Sequence, residues 1–221
     1  MRIWGLWPIA ALLLGSGCAS MAYKAKAPNL GGQCADDLRN VAALPLRHTV
    51  TTDKASLKAS LKYTEFASIA HCYRPADAEA MAVALYRLDG VSPPSQLSVS
   101  VLLSPGGTFA SSVEVLDAQY RPLQRYGFER FVRRGAQYSL NVFLNPSDQG
   151  APAYLLLAPD RGQVGKVDTA VGSQTNAMPI VTAGVMFTFV SGTETQVARP
   201  FVDGGQVRVT SQPQSSASFD D

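Results

Sequence analysis

The chain has 221 residues, 19 basic against 17 acidic, and 46% of it is hydrophobic. This length suits one globular domain with terminal appendages and a sizeable core. With the charge balance near neutral, nothing global points to nucleic acid, which usually calls for a strongly basic patch or stripe.

The N-terminus gives an address. Arg2 is followed by an apolar run from Ile3 to Leu14, interrupted by Gly5 and Pro8. The run is shorter than the roughly 20 residues a membrane-spanning helix needs, so it reads as a signal peptide, residues 1–17. Gly15-Ser16-Gly17-Cys18 resembles a bacterial lipobox, in which the cysteine is lipidated and becomes the mature N-terminus. Gly15 stands where that pattern usually has leucine, with Leu14 one step earlier. The alternative is an ordinary signal peptide with a chance cysteine. Ala19-Ser20 follow, without the aspartate that commonly retains lipoproteins in the inner membrane. The resemblance therefore implies a lipid anchor in the outer membrane, facing the periplasm or the cell surface, with the membrane as a partner. Residues 18–32 form the tether, small and charged residues with a proline and a Gly-Gly pair.

Residues 33–77 read as a mixed N-terminal segment. Cys34–Leu44 is predicted as a helix, with Asp36 and Asp37 in its first turn and Leu38, Val41 and Ala42 on one face. Thr49–Thr52 is a possible strand, Lys54–Lys62 is helix or strand, and Phe66–Cys72 is apolar enough to be buried. Cys34 and Cys72 remain once Cys18 is assigned. In an oxidising compartment they read most simply as one disulfide; two free thiols are the alternative.

Residues 78–210 read as the main domain. Strands are predicted at Ala82–Leu88, Gln96–Leu103, Phe109–Leu116, Pro122–Gly127, Gln137–Leu144 and Ala153–Ala158. Phe109–Leu116 and Pro122–Gly127 should form a hairpin, after which Gly127–Arg134 leaves the sheet as a loop or short helical turn. Residues 161–182 read as a long surface connection. Gly184–Val190 and Gln206–Val209 are two further strands, and 211–221 is a polar tail expected to be disordered. Short strands with turns between them predict a mainly β fold, an antiparallel, jelly-roll-like β-sandwich with a short N-terminal helical segment.

Chemistry-bearing motifs are scarce. GxSxG, HExxH and GxxxxGK[ST] patterns do not occur, and no cofactor is implied. His48 and His71, without CxxC or HxxxH spacing, suggest no metal site. The alternative function is a hydrolase acting on envelope glycan or peptide, with His48 or His71 in its site. The richest stretch is Tyr120–Arg134, with Arg121, Arg125, Tyr126, Arg130, Arg133 and Arg134 as candidate binding residues. Guanidinium groups recognise phosphates and carboxylates in bidentate fashion, and aromatic faces stack on sugars. The competing reading is a hairpin with core aromatics and rim arginines.

Three segments resemble the maltose operon periplasmic protein family: VEVLDAQYRPLQRY at 113–126, AYLLLAPDRGQVGK at 153–166, and Cys34 before Ala43-Leu44-Pro45-Leu46. The resemblance implies a periplasmic protein linked to carbohydrate uptake, of maltose or maltodextrin, without an established enzymatic activity. This chain lacks that family's adjacent cysteine pair, and no binding residue carries over. The sequence thus points to a lipid-anchored, non-catalytic sandwich that binds an envelope glycan or a partner protein.

Overall fold

The structure, a computed structural model, describes residues 25–48, 58, 61–91, 93–145, 150–182 and 185–213. It is mainly β. Two six-stranded sheets carry the core. One has the order β1 (Ala43–Pro45), β5 (Met81–Arg87), β12 (Tyr154–Pro159), β8 (Ser111–Leu116), β9 (Pro122–Tyr126), with β4 (His71–Tyr73) also on β5. The other runs β10 (Val132–Arg134), β11 (Gln137–Leu144), β6 (Ser95–Leu102), β15 (Gln206–Pro213), β2 (Arg47–His48), with β3 (Thr64–Glu65) also on β15. The predicted strands of the main domain are present, and β8 and β9 form the predicted hairpin with a bulge at Val115/Leu116.

Alternating residues of both sheets meet in one core. Leu97, Val99 and Val101 of β6 and Leu140, Val142 and Leu144 of β11 pack with Val113 and Val115 of β8 and Leu155 and Leu157 of β12. Such two-sheet packing with alternating burial is sandwich architecture. Phe143, which breaks the alternation of β11, is 46% exposed on the opposite face. The unbroken apolar runs in β5 and β12 have a different cause. Their second faces are buried too, with Val83, Leu85, Leu116, Leu156 and Ala158 in a smaller cluster beneath Val41 and Leu38.

The cover over that second face is the N-terminal segment, and here the predicted helix is corrected. Cys34–Leu44 contains only a single 3-10 turn, Leu38–Asn40, capped by the Asp37 side chain. Ala35 forms a bridge with Tyr73, and Ala43–Pro45 becomes β1, parallel to β5. Helical periodicity here reflected one apolar side laid on a sheet, and the sheet edge outcompeted the helix for backbone hydrogen bonds. The Cys34–Cys72 disulfide fastens this cover. A short helix, α1 (Phe66–Ile69), follows β3 and buries Phe66 against Phe109, ring centroids 4.5 Å apart. The possible strand at 49–52 lies outside the described residues, as does all of 54–62 except residues 58, 61 and 62.

The second correction concerns residues 161–182. Only 161–166 connect, as turns after β12; β13 (Val167–Thr182) pairs with β14 (Val185–Val202) through sixteen consecutive residue pairs, Val167↔Pro200 to Thr182↔Val185. Arg199 and Pro200, between the two strands expected at Gly184–Val190 and Gln206–Val209, lie within β14, which extends the first of them to Val202. The ribbon joins the body at its base, where Phe201 and Val202 pair with β7 (Thr108–Phe109). Glycine, asparagine and glutamine lower strand propensity locally, but a ladder of sixteen residue pairs overrides it. β15 also extends the predicted Gln206–Val209 strand, taking residues 211–213 from the expected tail; residues 214–221 lie outside the described residues.

Candidate functional site

The arginine-rich stretch is split by the fold. Asp117, 3% exposed, organises the turn between β8 and β9. Its carboxylate accepts N–H bonds from Gln119 and Arg121 at 2.8 and 2.9 Å, and the Arg121 Nε at 2.7 Å. Burial alone would push this carboxyl up. The backbone and side-chain hydrogen bonds from Arg121 outweigh it, and the net shift is downward. Tyr120 adopts a left-handed φ of 62° in this turn, with its ring stacked on Tyr154 at 4.6 Å. Arg125 pairs across the hairpin with Glu114, Nη2 to Oε1 2.5 Å. Arg121 and Arg125 are therefore committed to carboxylates of the fold.

Past Tyr126, whose hydroxyl lies 3.2 Å from the Gln124 side-chain oxygen, the chain crosses to the other sheet. Phe128–Arg130 forms the expected helical turn, a 3-10 turn, but Val132–Arg134, expected with it as loop or turn, is instead strand β10, paired with β11. The Phe128 N–H donates to Asp160 Oδ2 at 2.8 Å, which fixes the crossing. Phe128 and Phe131 are buried, and Phe128 packs against Tyr138 and Phe201 at centroid distances of 5.0 and 4.9 Å. The aromatic residues of the motif thus belong to the core. The arginines face out: Arg130, Arg133 and Arg134 are exposed, and among the described residues none has a carboxylate ion-pair partner. Arg133, Arg134 and the 56% exposed Val132 make up β10, the edge strand of its sheet.

Beside β10 sits a polar group that the sequence did not disclose. Tyr138, opposite Arg133 in the ladder, donates to Asp168 Oδ2 at 2.7 Å. Burial and this hydrogen bond to an anion push the tyrosine hydroxyl up to about 12, with Arg133 opposing. Arg199, opposite Asp168 in the ribbon, has a buried Nε without a hydrogen-bond partner. Asp168 and Arg199 lie in segments that read as connections, so no sequence signal placed them beside Tyr138.

Elsewhere, a cleft of about 190 Å³ opens between the sheet edges, lined by Leu44, Leu46, Ile69 and Tyr86 with Lys62 and Arg208. The Arg208 guanidinium lies 4.8 Å from the Tyr63 ring centroid. The cleft is smaller than the roughly 300 Å³ at which sites for drug-sized ligands begin. His71 is exposed on β4, without a hydrogen bond to a carboxylate among the described residues, and the His48 side chain lies outside them. No group of three or more metal-ligating side chains occurs among the described residues, and no helix there is long and apolar enough to cross a membrane. Cys18 lies outside the described residues. No protein-family model, curated protein or solved structure matches the chain.

Proposed function

We propose that this chain is a bacterial envelope lipoprotein, anchored in the outer membrane through Cys18, whose sandwich presents the edge strand β10 to an anionic envelope glycan. The observation that carries the reading is the trio Arg130, Arg133 and Arg134, exposed and without carboxylate partners beside two arginines that have them. Uncompensated cations repel one another unless a ligand offsets them, and guanidinium is the group suited to phosphate and carboxylate oxygens. The exposed Val132 between them adds an apolar contact. The disulfide supports an extracytoplasmic setting. The resemblance to the maltose operon periplasmic family adds a link to carbohydrate uptake. A protein partner pairing with the open edge of β10 is the second reading, favoured by the strand's position at the end of its sheet.

The test is the triple variant R130A/R133A/R134A. Purified peptidoglycan sacculi and lipopolysaccharide should capture the native protein, with capture falling as salt rises past about 0.1 M, where exposed charges are screened within about 10 Å. The triple variant should lose most of that capture at an unchanged melting temperature. Charged residues also guard sheet edges against aggregation. Aggregation or lost stability with capture intact would show that the arginines serve the fold alone.

A further inference from the structure

The ribbon β13–β14 is the least explained part of the molecule. Residues 169–193 contain no charged residue, and the outermost part, Ala177–Val190, reads AMPIVTAGVMFTFV. The described side chains of this outer part, at 177–179, 186, 188 and 190, are all exposed, with Met178 at 60%, Met186 at 70% and Val190 at 59%. The ladder register puts Met178 on one face of the ribbon and Met186 and Val190 on the other. Nearer the base, Gln174, Thr175 and Asn176 pair with Thr193, Gly192 and Ser191. The ribbon is therefore a polar stalk with a head that is apolar on both faces.

We propose that this head enters the surface of the lipid bilayer in which the chain is anchored, which rests on the Cys18 reading above. A site for a folded partner would be apolar on one face, whereas lipid surrounds a hairpin on both. Lengths support the same occupant. Gly204 stands two residues past β14, and a Cβ there would lie 2.6 Å from the Lys26 carbonyl oxygen, so the tether leaves the body at the ribbon's base. From Lys26 back to Cys18 is eight residues, which reach at most about 26–29 Å. From Val167 to Asn176, the length of the polar stalk, is nine residues, about 30 Å of ladder. The greatest reach of the tether and the length of the polar stalk are thus nearly equal. The open strand edges keep the head shallow, because hydrocarbon penalises unpaired backbone groups. It rests about 5–10 Å into the headgroup and acyl boundary, where water still reaches those edges.

Trp4 and Trp7 both precede Cys18, so the mature chain predicted here has no tryptophan of its own. The full-length M186W, M178W and V167W variants, purified from membranes, are reconstituted into phosphatidylethanolamine and phosphatidylglycerol vesicles with brominated acyl chains. M186W and M178W should shift their emission to the blue and be quenched at least about twofold, while V167W at the base stays unquenched. Quenching of M186W in a protein whose Cys18 carries no lipid by mass spectrometry would uphold the head and overturn the anchor. Lipidated, vesicle-bound protein with M186W and M178W both in water would overturn the head alone. A blue shift without vesicles that disappears on dilution would assign the head to a second copy of the chain and likewise overturn the proposal.

Discussion

Tyr138 shows how one contact couples the body to the base of the ribbon. Its hydroxyl is raised to about 12, first by burial and then by the hydrogen bond to Asp168. The folded value exceeds that of a free tyrosine, near 10. The contact therefore stabilises fully below about pH 10 and is lost as pH rises through about 12. Difference titration of native protein against Y138F, read as phenolate absorbance, should find this group near 12. In D168N it should titrate lower, yet still above a free tyrosine because burial persists. An unchanged midpoint in D168N would remove Asp168 as a cause. Sequence reasoning reached Tyr138 as an alternating position of a strand. It missed Asp168, because a contact across 30 residues depends on a ladder register that local pattern does not encode.

At the scale of elements, two junctions hold the assembly. The first is the N-terminal cover. Closing a loop of 38 residues should contribute about 3–4 kcal/mol, and here the loop carries Val41 and Leu38 onto the outer face of β5 and β12. Double replacement C34A/C72A should lower unfolding stability by about that amount in denaturant titration. A change below about 1 kcal/mol would mean that the cover packs without the bridge. The second junction is the turn into β7. Gly107 has φ +134°, and a Cβ there would stand 2.7 Å from Val202 Cγ1 and 3.0 Å from the Pro200 carbonyl oxygen. G107A should cost about 1–3 kcal/mol, through backbone strain and displacement of the ribbon base. A melting temperature equal to the native one would contradict that packing. The strands of the body were legible because alternation such as Leu97-Ser98-Val99 has one cause, a half-buried face. The helix expected at 34–44 failed because apolar spacing on a short segment fits either a helix or a chain laid across a sheet. Of the ribbon, Gly184–Val190 was legible as an apolar strand, whereas its partner within 161–182 was not, because glycine, serine, threonine and asparagine there read as a connection.

Over the whole molecule, the proposed function rests on the lipid at Cys18, the edge strand β10 and the outer part of the β13–β14 ribbon. The core explains the sequence of the sandwich strands, and it leaves unexplained three exposed arginines and an uncharged, two-sided apolar hairpin. As proposed above, both features find a use at a membrane surface, one toward an anionic glycan and the other toward lipid. Both readings also depend on the lipid at Cys18. The most direct measurement is mass spectrometry of the N-terminal peptide of protein isolated from the membrane fraction, with Cys18→Ala in parallel. The account predicts a peptide beginning at Cys18 that carries diacylglyceryl and an amide-linked acyl chain, and release of the variant into the soluble fraction. An unmodified Cys18 peptide, together with unchanged membrane association of the variant, would contradict it.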